Sequence, residues 1–78
     1  MNREQIIEAF FIERNGPGVR AILGECDLFE EGLLDSLDLV ALAALIERDF
    51  GIRVDVTDDA VLQEFSRFDG ILRMIRQP

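Results

Sequence analysis

The stretch from Gly32 to Gly51, GLLDSLDLVALAALIERDFG, constrains this chain more than any other. Asp35 is an N-cap residue whose carboxylate can accept bonds from unpaired first-turn amides, and Gly51 tolerates the left-handed backbone that ends a helix. Between them Leu39, Leu42, Ala43, Ile46 and Phe50 recur at the i, i+3, i+4, i+7, i+11 spacing of a single helical face. Leu37, Val40, Ala41, Ala44 and Arg48 repeat that spacing on a neighbouring face. The pattern predicts a helix over about Ser36 to Phe50 that must be covered by other elements. Its first face reads as core, and its second as either a wider core or a strip for docking a partner beside Ser36.

The rest of the chain supplies further helices. Asn2 caps a helix start, with Gln5 reaching back in a capping-box arrangement. Ile6, Ile7, Phe10 and Phe11 form its apolar stripe, and Glu4, Glu8 and Glu13 face water. Helix one runs to about Arg14 and is stopped by Asn15-Gly16-Pro17-Gly18. Val19 to Leu23 reads as no more than a turn of helix. Leu28, Phe29, Leu33 and Leu34 then pin a long loop to the core, and an ordered loop of that length in so small a chain points to function. Ile52, Val54 and Val56 alternate with Arg53 and Asp55, but a lone strand has no partner, so an extended connector is expected. Thr57 is expected to cap a short helix beginning Asp58-Asp59-Ala60, which buries Val61 and Leu62, with Phe65 following. Ser66 to Asp69 reads as a capping box for a last helix, which carries Phe68, Ile71, Leu72 and Ile75 on one face and Arg73 and Arg76 toward its C-terminal end. The expectation is an all-α, four-helix bundle in a single domain, 1–78, with three longer helices, one short helix and a long loop between helices one and two.

Composition removes most chemistry. The sequence has no histidine, tyrosine, tryptophan or lysine and one cysteine, so a Ser-His-Asp set, a Cys-His pair and a Cys/His zinc site are excluded. Asp27, Glu30 and Glu31 precede Gly32 in a way that invites a calcium-loop reading, but Phe29 stands where that loop needs an oxygen ligand. Cys26 reads as a small apolar residue rather than a reactive thiol, because no nearby cation would lower its pKa. With no secretory signal and no membrane-spanning apolar run, a soluble, reducing, cytoplasmic setting is expected, without stable membrane insertion. The net charge of −8 is uneven: Glu25 to Asp59 holds eleven acids against Arg48 and Arg53, and the remainder is close to neutral. An acidic field around Ser36 argues against nucleic acid and favours partners with basic surfaces.

Ser36 falls at the first helical position, where unpaired amides and the positive end of the helix dipole suit an attached phosphate by roughly 0.3–1 kcal/mol. Asp38 adds negative charge to the same turn. From the residues alone, Ser36 is either a helix-start residue sharing the cap with Asp35 or a point of modification.

The triplet Asp35-Ser36-Leu37, set in Phe29 to Gly51, resembles the attachment-site signature of phosphopantetheine carrier proteins: the acyl, aminoacyl and peptidyl carriers. In these families the serine of the D-S-L triplet carries the prosthetic arm. The resemblance implies a fold of acyl-carrier type over Ile6 to Ile75, with no catalysis by the domain itself. A phosphopantetheinyl transferase would attach 4′-phosphopantetheine from coenzyme A to Ser36. It further implies a monomer that docks its loading enzyme and downstream acyl-transfer enzymes through Asp35, Leu37, Asp38, Val40, Ala41, Ala44 and Glu47. Asp35 and Asp38 would attract the transferase's basic groups.

Many fatty-acid carriers have an acidic residue where Ala41 stands, so the sequence departs from their docking pattern there. Leu28 to Asp35, LFEEGLLD, resembles the D-alanyl carriers of cell-wall modification, while Ser36 to Val40, SLDLV, is more similar to fatty-acid and polyketide acyl carriers. The leading expectation is an acyl carrier in fatty-acid, polyketide or related biosynthesis, in which the small Ala43 and Ala44 would leave room for the chain. The alternatives are a D-alanyl or other aminoacyl or peptidyl carrier, and an acidic interaction module without the arm.

Overall fold

The computed structural model describes residues 2–76. Four α-helices follow in order: α1 (Arg3–Asn15), α2 (Ser36–Phe50), α3 (Asp59–Phe65) and α4 (Phe68–Ile75), with a short 3-10 helix, Pro17–Ala21, after α1. No strand occurs among the described residues. The architecture is the expected all-α bundle of acyl-carrier type with its long loop before α2. At eight residues α4 is only one longer than α3.

The two long helices begin and end as their sequences dictate. In α1 the Gln5 amide donates to Asn2 Oδ1 at 2.8 Å and the Asn2 amide donates back to Gln5 Oε1 at 3.0 Å, completing the capping box. Gly16 ends α1 at φ 89°, its amide donating to the Ile12 carbonyl at 2.8 Å, and Pro17 opens the 3-10 helix. Gly51 ends α2 in the left-handed region, φ 69° and ψ 19°, with its amide on the Glu47 carbonyl at 3.0 Å.

The two short helices depart from the expected caps. Asp58, not Thr57, caps α3, its carboxylate accepting from the Ala60 amide at 2.9 Å. Thr57 is instead held in the preceding turn, where its amide and hydroxyl both donate to Asp55 Oδ1, at 2.9 and 2.6 Å. An aspartate readily closes a turn on the amide two residues ahead, and that draws Thr57 away from the helix. The expected capping box of α4 is also absent. Ser66 Oγ donates back to the Gln63 carbonyl at 2.6 Å, at the end of α3, and Arg67 occupies the N-cap with no side-chain bond.

Phe11 lies at the centre of the core, packing edge-to-face on Phe10 and Phe68 with ring centroids 5.4 and 6.2 Å away. Around it Ile7, Leu42, Ile46, Phe65, Ile71 and Ile75 are fully buried. The loop contributes Leu28 and Leu34 to the same core, as its apolar spacing predicts. It is fastened by the Leu28 amide on the Ser66 carbonyl at 2.7 Å, and by the Leu33 and Leu34 amides on the Leu28 carbonyl at 2.9 and 3.1 Å. Ile52, Val54 and Val56 are half-buried against the bundle along an extended connector. Val61 and Leu62 are only half-buried, whereas Phe65 is the α3 residue that closes the core.

Candidate functional site: the first turn of α2

Ser36 stands exposed at the first position of α2, as its place after an aspartate cap requires. Asp35 Oδ1 accepts from the Asp38 amide at 2.8 Å, and Asp38 Oδ2 accepts from the Asp35 amide at 3.4 Å, so the two acids form a reciprocal capping box. The amides of Ser36 and Leu37 are left without an intrahelical acceptor and lie at the positive end of a fifteen-residue helix. Among the described residues Ser36 Oγ has no hydrogen-bond partner, and the residue takes no part in the capping that would be its ordinary structural use.

Asp38 is less free than the sequence suggests. Arg14, 24 residues earlier on α1, donates from Nε to Asp38 Oδ1 at 3.0 Å. Its guanidinium lies 4.0 Å from the centroid of the buried Phe10 ring. The acidic field around Ser36 therefore contains a fixed cation brought in from another helix.

A groove of about 650 Å³ opens beside Ser36 between the loop, α2 and α3. Phe29, Leu39, Val56 and Leu62 form its apolar lining, and Asp27, Gln63 and Ser66 supply polar groups. Asp27 Oδ1 is already engaged by the Phe29 and Glu30 amides, at 2.9 and 3.0 Å, which shape the turn on the loop side.

The residues expected to dock partners divide into two sets. Leu37 and Val40 project from α2 at 79% and 56% exposure, far above ordinary core values, on the same helical end as Ser36. Glu47 and Asp35 are also exposed. Ala41 and Ala44 instead line a second groove, of about 510 Å³, between α1 and α2, together with Ile6, Ala9 and Phe10. Ala43 is buried in the core and lines neither groove, while Ala44 opens to the α1 side. Ile22, 40% exposed in the loop, is a further large apolar residue at the surface; its sequence carries no signal separating it from the buried Val19 and Leu23 on either side.

Cys26 is half-buried and packs against the core. Burial pushes its thiol pKa up, and the Glu31 carboxylate adds to that, opposed by Arg67. Such a thiol stays protonated and weakly nucleophilic. Among the described residues no group of three or more His, Cys, Asp or Glu is placed to hold a metal ion, and no helix is long and apolar enough to cross a membrane.

The sequence model of the family described as the phosphopantetheine attachment site matches residues 21–69, well over half of the chain. The chain belongs to the phosphopantetheine attachment-site family. No curated protein and no solved structure gives a significant match. The matched span of the carrier domain runs from the end of the 3-10 helix through α2, the connector and α3 into α4, so it contains Ser36 and the groove beside it. Helix α1, which supplies Arg14, lies outside it. The cofactor of the family is covalently bound 4′-phosphopantetheine, and a carrier domain of this kind holds cargo for other enzymes rather than transforming it.

Proposed function

We propose that Ser36 is the attachment residue and that the domain is an acyl carrier for fatty-acid, polyketide or related biosynthesis. The observation that carries this reading is the position of Ser36: an exposed, unengaged hydroxyl at the first turn of α2, on the rim of a mainly apolar groove. The unsatisfied amides of Ser36 and Leu37 suit a phosphodiester at that place. In the modification, Ser36 Oγ attacks the β-phosphorus of coenzyme A. The new Oγ–P bond forms as the P–O bond to 3′,5′-adenosine bisphosphate breaks, and the serine proton passes to a base on the transferase. Once attached, the group supplies a terminal thiol that holds an acyl chain as a thioester.

This chain's own work is presentation and shelter. Asp35 and Asp38 fix the first turn, Leu37 and Val40 give a partner enzyme an apolar foothold, and Asp35 and Glu47 offer charge to its basic groups. Phe29, Leu39, Val56 and Leu62 suit a hydrocarbon chain better than a bare amino acid, which favours acyl over D-alanyl cargo. The domain would act in the cytoplasm, moving between enzymes by weak docking while the tether keeps the thioester at high local concentration.

The test is the intact mass after incubation with coenzyme A and a broad-specificity phosphopantetheinyl transferase, beside Ser36→Ala. One added phosphopantetheine in the wild type and none in the variant supports the reading. A folded wild type that gains nothing overturns it in favour of an acidic interaction module.

A further inference from the structure

We infer that Arg14 is a positioning residue for the modification of Ser36, acting through Asp38 on the capping box that presents the serine. The inference rests on Ser36 being the attachment residue. Asp35 and Asp38 are two carboxylates locked in one box, and like charges so close repel each other. Arg14 is the cation bonded to that box, with Nε at 3.0 Å from Asp38 Oδ1. Its guanidinium is itself held over the ring of Phe10, a residue of the core. The run Phe10, Arg14, Asp38, Asp35 thus connects the packed interior of α1 to the residue immediately before Ser36. Asp38 spends one oxygen on Arg14 and the other on the Asp35 amide, so its carboxylate has one orientation while Arg14 is in place. Without Arg14 the box carries two uncompensated acids, its 3.4 Å bond loosens, and the turn bearing Ser36 samples more than one geometry.

Transfer from coenzyme A is measured with a broad-specificity phosphopantetheinyl transferase on the wild type, Arg14→Ala, Arg14→Gln, Arg14→Lys and Asp38→Asn with and without Arg14→Ala, together with amide hydrogen exchange at Asp35, Asp38 and Leu39, whose amides the box engages. Arg20→Ala serves as the control for charge, since it removes the same unit charge from a residue that pairs with Glu8 away from the box. Arg14→Ala is expected to lower kcat and to raise first-turn exchange by about two- to five-fold, the factor that one partly exposed ion pair supplies. Arg14→Lys restores part of both, Arg14→Ala has no further effect once Asp38→Asn has removed its partner charge, and Arg20→Ala changes KM alone. A folded Arg14→Ala with wild-type kcat and wild-type exchange overturns the inference. If Arg14→Ala does not fold, wild-type kcat and wild-type exchange in a folded Arg14→Gln do the same. A wild type that is not modified at all overturns the attachment reading instead, and the exchange measurement still decides whether Arg14 orders the turn.

Discussion

Replacing Gly70 by alanine tests how α3 is placed against α4, and through α3 the wall of the groove beside Ser36. On helix propensity alone Gly70→Ala should stabilise α4 by about 1 kcal/mol, because glycine is a poor residue inside a helix. Tertiary structure reverses the sign. A Cβ built at Gly70 would lie 2.0 Å from the Glu64 carbonyl oxygen and 2.9 Å from its carbon, both backbone atoms that cannot rotate away. Side-chain carbons do not approach closer than 3.0 Å, so the α3 end must retreat by about 1 Å. That carbonyl also accepts from the Arg67 amide at 3.5 Å in the turn joining α3 to α4, and retreat strains the bond. Overpacking of this kind costs typically 1–3 kcal/mol, occasionally more, and exceeds the propensity gain at most of that range. A domain of this size has a total stability of roughly 4–12 kcal/mol, so the loss should show as a clear fall in the urea midpoint at unchanged slope. Leu62, Gln63 and Ser66 line the groove and move with α3, so amide shifts should spread from 62–66 to Phe29 and Val56 across it. A Gly70→Ala protein as stable as wild type or more so would refute the close approach and the account of the groove wall that depends on it.

Further outcomes follow from single features. Asp35→Ala removes the acceptor for the Asp38 amide and should cost about 0.5–2 kcal/mol, read as a lower thermal midpoint and reduced helicity; an unchanged midpoint would show that the cap is not holding α2. Leu37→Asp and Val40→Asp should leave the free energy of unfolding within about 0.5 kcal/mol of wild type, because both side chains are exposed, while raising the KM of Ser36 modification. The Thr57 hydroxyl and amide hold the Asp55 carboxyl below the usual aspartate range. Its folded pKa is thus under its unfolded value, so this stabilisation is present above the unfolded range and lost as pH falls through the folded value. Carboxyl NMR should find that low midpoint in the wild type and a return toward normal in Thr57→Val. Alkylation of Cys26 by iodoacetamide should be slow at neutral pH and accelerate only above the usual thiol range; rapid reaction at pH 7 would contradict the raised pKa.

Much of the carrier domain is legible in its residues because local chemistry decides it. The ends of α2 follow from Asp35 and Gly51, each of which satisfies backbone groups within a single turn. Its buried face follows from the 3.6-residue period, and the loop anchors follow from the apolar pairs Leu28-Phe29 and Leu33-Leu34 in an acidic stretch, of which packing buries Leu28 and Leu34 completely. The α3 and α4 boundaries were harder. Between Asp55 and Asp69 several residues can cap, and which one does depends on competition: Asp55 takes Thr57, and Ser66 turns back to Gln63. Propensity alone cannot rank bonds that differ by so little.

The helical class, the limits of α1 and α2, and the exposed serine after an aspartate cap can all be read along the chain. Those properties depend on residues a few positions apart, where spacing along the chain is spacing in space. Folding alone brings Arg14 across from α1 to hold Asp38, sets Ala41 and Ala44 in the α1–α2 groove while Leu37 and Val40 project freely, and closes an apolar groove at Ser36 with the connector and α3. Each of these depends on how helices cross and which side chains fill the gap between them, a packing result shared among residues distant in sequence and set by no one of them.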